Sequence, residues 1–237
     1  MAAQGGFMAI KHILLDLDDT IFDFHRSERE SISKTLKAFG VEPTDFTVRR
    51  YSEINRECWQ ALERKEMTRE EVLVKRFERL FSELSVEANA EDVKAVYEEL
   101  LSGCHHMIPG AMELIRELRS GYTVSLASNG TARVQDKRIA ASGIGPLFDN
   151  IFISEKLLAD KPSPKFFDAC MKALGEPDKE QVIIVGDSLS SDITGGLGYG
   201  IYTLWYNPAG KEAPPDIRPH FSARKLSEIP EIIKTIK

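Results

Sequence analysis

Five short apolar runs mark the chain: HILLD (12–16), YTVSLA (122–127), NIFIS (150–154), VIIVG (182–186) and IYTLWY (201–206). Most lack the in–out alternation of a half-exposed strand, and continuous apolar strands belong to a parallel sheet covered on both faces. Helical patterns separate the later runs. PGAMELIRELRSG (109–121) begins after Pro109 and stops at Gly121. TARVQDKRIAASG (131–143) has Thr131 as an N-cap candidate and Gly143 as a stop. SPKFFDACMKALG (163–175) carries Ser163 at the cap, Pro164 at the first helical position and Gly175 at the end. Strand alternating with helix predicts an α/β fold with a doubly wound parallel sheet.

One segment breaks the rhythm. Between Asp23 and His106 no strand pattern occurs, and that length is far beyond an ordinary loop. Thr68 and Glu71 form a capping box ahead of Val72, Leu73, Phe77, Leu80, Phe81 and Leu84, which share one helical face. Asn89 with Asp92 opens another helix through Val93, Val96, Tyr97, Leu100 and Leu101. The expected organisation is a core of residues 8–22 and 107–237, interrupted by a helical domain at 23–106. The APPDIRP stretch (213–219) reads as a surface loop before a short C-terminal element.

The first strand ends oddly. In ILLDLDDTIF (13–22) an apolar run enters three carboxylates, Asp16, Asp18 and Asp19, although like charges this close raise one another's pKa. In open α/β sheets, ligands bind at the carboxyl ends of the strands. Asp16 and Asp18 end the first strand, Ser128 and Asn129 the second, and Asp187 the fourth, with Asp192 one turn on. Lys161 follows the third after a short loop. Parallel strands bring these groups to one sheet edge. A divalent cation among the carboxylates would make their proximity tolerable, and an all-oxygen cage suits Mg²⁺. The cluster therefore predicts a metal-assisted nucleophile site.

Taken in order, DLDDT, SNG, KP and GDSLSSD resemble the four signature motifs of the haloacid dehalogenase (HAD) superfamily of phosphohydrolases. The insertion after the first motif is similar to that superfamily's C1-type helical cap on a Rossmann-like core. Within the superfamily, NRECWQALERKEMTREEV, SNGTARVQDKR and GGLGYGIYTLWYN look most like the non-canonical pyrimidine nucleotidase branch. The resemblance implies that Asp16 is the nucleophile and becomes an aspartyl phosphate, while Asp18 protonates the leaving oxygen and then activates water. It implies Mg²⁺ held by Asp16, the Asp18 carbonyl and Asp187, with Asp192 acting through water. Ser128 and the Asn129 amide would bind phosphate, and Lys161 would offset developing charge. On the cap, Asn55 and Trp59 lie four apart and so share a face, with an amide for a base edge and a ring for stacking. The bland reading of Trp59 is cap core.

Composition narrows the partners. The 237 residues are 42% hydrophobic with a net charge of -6, which argues against nucleic acid. No apolar run approaches the ~20 residues of a membrane helix. The start, MAAQGGFMAIK, lacks a signal-peptide layout, and its first seven residues read as a remnant or an alternative start before Met8. Cys58, Cys104 and Cys170 read as reduced thiols. The expected protein is cytoplasmic, a monomer or homodimer, acting on a small phosphorylated metabolite. Cys104-His105-His106 invites a zinc reading, but the spacing is poor and no second ligand pair is nearby, so it reads as linker. GGLGYG (195–200) precedes a strand and predicts close helix–strand packing rather than dinucleotide binding. Rival functions are a sugar-phosphate or phosphoglycolate phosphatase, a phosphomutase, a 2-haloacid dehalogenase, which usually lacks an acid at Asp18, and a non-catalytic phospho-acceptor domain.

Overall fold

The computed structural model describes residues 9–236; Met1 to Met8, with the remnant expected there and the start of the expected core, lie outside the described residues. Along the chain run β1 (His12–Leu15), α1 (Phe24–Ala38), α2 (Asp45–Glu63), α3 (Arg69–Glu83), α4 (Ala90–Ser102), α5 (Ala111–Arg119), β2 (Thr123–Ser128) and α6 (Ala132–Ser142). There follow β3 (Asn150–Ile153), α7 (Ser154–Leu157), α8 (Pro164–Ala173), β4 (Val182–Gly186), α9 (Thr194–Tyr199), β5 (Tyr202–Tyr206), β6 (Phe221–Ala223) and α10 (Ile229–Lys234). No helix among the described residues is long and apolar enough to cross a membrane.

The chain forms two compact units. The first, a sheet unit, holds the described part of the chain up to Phe22, Met107–Thr131 and Gly143 onward. Its six strands are all parallel in the order β3-β2-β1-β4-β5-β6. Every residue of β4 is buried, as a strand covered on both faces requires. Successive strand residues face opposite sides; Leu14 points into a cluster with Phe166, Phe167, Cys170 and Met171 of α8. A Cβ on Gly196 of α9 would lie 2.6 Å from the methyls of Ile184 and Thr203, so glycine lets this helix approach the sheet as the GGLGYG reading predicts. β1 pairs with β2 on one side and β4 on the other, with Leu15 level with both Leu126 and Val185. The connections reverse direction there, which makes the carboxyl end of β1 and β4 the topological switch point. The short edge strand β6 has no pattern in the sequence; it is the C-terminal element expected after 213–219.

The second unit comprises Asp23–His106 together with Ala132–Ser142. Thr68 and Glu71 make the expected capping box, and Asn89 caps α4 by accepting from the Glu91 amide. The interior holds Ile32, Leu36, Ile54, Phe77, Leu80 and Val93 around a cluster of Tyr51, Phe77 and Tyr97 rings 5.3–5.5 Å apart. Sequence reading kept all of 107–237 in one core; the packing corrects this for α6. Val134 belongs to the helical interior. Fully buried Arg138 donates from Nε to the Cys104 carbonyl at 2.8 Å and from Nη1 to Gln135 Oε1 at 2.9 Å, and Lys137 pairs with Glu99. An apolar anchor and a charge-assisted hydrogen bond worth about 1.5–3 kcal/mol bind α6 to these helices.

Candidate active site

The acidic strand end is built by a tight loop. Asp16 leaves β1 with its amide donating to the Val185 carbonyl at 2.9 Å. The Leu17 carbonyl then accepts from both Ile21 and Phe22 amides at 2.8 Å, and the Asp19 amide donates to the Phe22 carbonyl at 2.7 Å. Asp19 closes this loop with φ of 59°, a left-handed conformation that Asp tolerates better than most residues. Asp19 thus serves the turn. Asp16 is held buried at the sheet edge, with Asp18 partly buried beside it.

Lys161 organises the centre. Its ammonium, 1% exposed, donates to Asp16 Oδ1 at 2.7 Å, Asp192 Oδ1 at 2.7 Å and the Ala127 carbonyl at 2.6 Å. The Lys161 backbone is fixed in turn by Asn129, which accepts from the Lys161 amide at 2.9 Å and donates from Nδ2 to its carbonyl at 2.8 Å. Ser128 is buried at the end of β2 and its hydroxyl oxygen accepts from the Gly130 amide at 3.1 Å. Asp192 sits in a single wide helical turn, Leu189–Ile193, and its Oδ2 accepts from the Ser188 amide at 3.1 Å. A Cβ at Gly186 would collide with the Asp192 carboxylate, so only glycine lets that group lie against the end of β4.

Donor oxygens of Asp16, Asp187 and Asp192 all lie within 4.8 Å of one another. Burial pushes the Asp16 carboxyl well above its usual range; the Lys161 ammonium opposes this, while Asp192 and Asp18 add repulsion. Asp187 is raised too, by burial and then by Asp16 and Asp192. Burial alone would lower Lys161, but its two carboxylate partners outweigh that and hold it firmly protonated. One ammonium thus faces more carboxylate charge than it can neutralise. The donors are hard oxygens, so a Mg²⁺ ion fits both the charge deficit and the ligand chemistry. Both Asp192 oxygens are already bonded, Oδ1 to Lys161 and Oδ2 to the Ser188 amide.

The structure thus gathers Asp16, Asp18, Ser128, Asn129, Lys161, Asp187 and Asp192 at one sheet edge. Asn55 and Trp59 belong to the helical unit. Sequence reading gives Asn55 an open amide for a base edge. In the structure Asn55 is buried: Nδ2 donates to Glu28 Oε1 at 2.7 Å and Oδ1 accepts from Arg76 at 2.9 Å, so the amide is spent on an internal network. Trp59 packs partly buried against the helical interior with the Arg69 guanidinium 5.4 Å from its ring centre. Sequence reasoning missed Trp205. On β5, level with Gly186, it donates from Nε1 to the Asp187 carbonyl at 2.8 Å and so steadies the loop that carries that carboxylate. The available signal was a tryptophan in an apolar strand, whose buried N–H needs an acceptor.

Residues 10–200 match the family model for haloacid dehalogenase-like hydrolases. The chain is 34% identical to the HAD-hydrolase YfnB of Bacillus subtilis over 221 residues, 93% of this chain and 94% of that one. It is 32% identical to the pyrimidine 5'-nucleotidase PynA of Streptococcus pneumoniae over 223 residues, 94% of each chain. A magnesium-bound crystal structure of YfnB, in a form that reveals interdomain movement, superposes with a TM-score of 0.90, covering 95% of this chain and 99% of that one at 34% identity. With the fold, the four-part site and these relatives in agreement, the chain belongs to the haloacid dehalogenase-like hydrolases and is an enzyme of that family.

Proposed function

We propose that this enzyme hydrolyses a phosphate monoester with Mg²⁺ as cofactor, through a phosphorylated Asp16, and that its substrate is a small phosphorylated metabolite of the pyrimidine nucleoside 5'-monophosphate class, met in the cytoplasm. The observation that carries the reading is the Lys161 ammonium joining Asp16 to Asp192 with Asp187 alongside. The division into a catalytic sheet unit and a helical cap that selects the leaving group belongs to the same proposal.

Asp16 would attack the phosphorus through one carboxylate oxygen as the bond to the ester oxygen breaks. Asp18 would give its proton to that departing oxygen, then take a proton from the water that attacks the phosphorylated Asp16, which releases inorganic phosphate and restores both carboxyls. Lys161 keeps its proton throughout, orienting Asp16 and offsetting charge on the transferred group. Ser128 and the amide of Asn129 bind phosphate oxygens, and the latter's side chain holds the Lys161 backbone in place. Asp16, the Asp18 carbonyl and Asp187 would hold Mg²⁺, which would supply the positive charge that lets an anionic nucleophile meet an anionic substrate.

The substrate class draws support from the nucleotidase named above, and Asp18, Asp187 and Asp192 favour phosphate chemistry over carbon–halogen cleavage. A phosphate-release screen across nucleoside monophosphates, sugar phosphates and phosphoglycolate, with Mg²⁺ or with EDTA, tests the proposal. Fastest Mg²⁺-dependent release from UMP or dUMP is expected. Equal turnover in EDTA would overturn the metal assignment, and preference for a sugar phosphate would overturn the substrate.

A further inference from the structure

The helical unit holds a second cluster of metal-binding groups. Glu30 of α1 and the chain after α4 meet where the unit begins and ends. There the Asp23 amide donates to the His106 carbonyl at 2.8 Å, and the Asp23 side chain caps α1 by accepting from the Arg26 amide at 2.9 Å. Cys104 and His106 lie two apart in the irregular stretch that follows α4. His106 Nε2 is 3.1 Å from Glu30 Oε2, across 76 residues of sequence. The Cys104 sulfur completes the group: one donor atom from each of Glu30, Cys104 and His106 lies within 4.8 Å of the others.

We propose that Glu30, Cys104 and His106 form a second metal site that takes one divalent cation of the zinc class. The ligand set decides the class. A thiolate and an imidazole are poor ligands for Mg²⁺ but match Zn²⁺ and Co²⁺, for which Cys, His and Glu together leave one position open to water. Donors around a tetrahedral zinc stand about 3.3–3.8 Å apart. At 3.1 Å the Glu30–His106 pair stands a few tenths of an ångström inside that spacing, and the sulfur, within 4.8 Å of both, has at most about 1.5 Å to travel. Little holds it back: its contacts are the Leu100 carbonyl at 3.5 Å and the Ser31 hydroxyl at 3.7 Å, both weak for sulfur. Coordination replaces two protons: the thiol proton of Cys104 leaves to water, and the Nε2 proton that His106 shares with Glu30 leaves to water or moves to Nδ1 by a change of tautomer. Glu30 Oε2 faces His106 Nε2. Its other oxygen pairs with Arg26 at 3.1 Å, so Oε2 is the one turned to the cluster. A cation here would fasten the start of α1 to the returning chain. The spacing objection to Cys104-His105-His106 falls away, since the third ligand comes from far upstream.

Chelator-stripped protein in excess Mg²⁺, which occupies the carboxylate site, should be titrated with Co²⁺. Wild type should take up one equivalent, with a thiolate-to-cobalt band in the near ultraviolet and strong visible bands of tetrahedral coordination, all displaced by Zn²⁺. Cys104→Ser and His106→Ala should abolish the bands and Glu30→Gln should weaken binding, with folding checked by circular dichroism; Asp187→Asn should keep them. X-ray absorption on wild-type zinc protein needs no variant and should show one sulfur at about 2.3 Å. A wild type without the cobalt bands, bands that persist in Cys104→Ser, or a zinc shell without sulfur would overturn the site.

Discussion

Replacing Lys161 by methionine keeps the length of the side chain and removes its charge. The ammonium is buried and bonds Asp16, Asp192 and the Ala127 carbonyl. Removing one partner of a buried ion pair costs about 3–5 kcal/mol, because the other charge is left uncompensated. The loss should depend on pH in one direction. Without the ammonium, which opposes the upward shifts of Asp16 and Asp187, the carboxyls of the native variant bind up to one proton more than those of native wild type, while the carboxyls of the two unfolded chains bind alike. A carboxyl whose folded pKa is raised contributes stability that is present below its unfolded pKa, near 4, and is lost as pH rises toward the folded value. Each extra proton is worth about 1.4 kcal/mol per pH unit over that window. The deficit at pH 7 should therefore shrink by about 2–3 kcal/mol at pH 5. Urea unfolding in EDTA at both pH values, followed by circular dichroism, measures it. An equal deficit at pH 5 and pH 7 would mean that Lys161 acts by packing alone and would refute the electrostatic account of this site.

Asp16→Asn removes a buried carboxyl that burial holds above its usual range, so turnover should vanish while the melting temperature at pH 8 stays the same or rises; turnover near wild type in the purified variant would remove Asp16 from its role. Asp187→Ala should weaken Mg²⁺ binding in calorimetry more than Asp192→Ala, whose larger cost should be stability, since Asp192 is tied to Lys161 and the Ser188 amide; the reverse order would exchange their parts. Asp18→Asn should slow alkyl phosphate hydrolysis more than that of an activated aryl phosphate, which needs less proton donation; single-turnover rates separate this from slow dephosphorylation. Trp59→Ala should raise KM for a nucleoside monophosphate more than for a small aryl phosphate if the ring stacks on the base, at about 1–3 kcal/mol. Equal KM changes with a lowered melting temperature would make Trp59 interior packing only.

The buried strands were legible because each is a continuous apolar run, and the position of their carboxyl ends in the sequence already pointed to the acidic cluster. Capping chemistry located α3 and α4 for the same local reasons. What escaped depends on partners distant in sequence. Three residues of β6 carry no period, and their strand exists because β5 offers an edge. Asn55 reads as an open amide until α1 and α3 bring Glu28 and Arg76 to it. Trp205 gains its bond to the Asp187 loop only through strand register. The threefold bonding of Lys161 likewise follows from strands 1, 2 and 4 sharing one edge.

The allegiance of α6 bears on how such a protein can be taken apart and recombined. A helical domain inserted as one segment could be cut at two points and exchanged with that of a relative. Here the sheet unit gives up a second piece of chain, Ala132–Ser142, which starts just after Asn129 and carries Val134 and Arg138 into the helical interior. A transplant of residues 23–106 alone would leave the Cys104 carbonyl without its buried partner and Val134 facing a foreign surface. The two segments must therefore travel together, and substitutions on the inner side of α6 are constrained by the inserted helices at least as much as by the Ser128–Asn129 loop that precedes it.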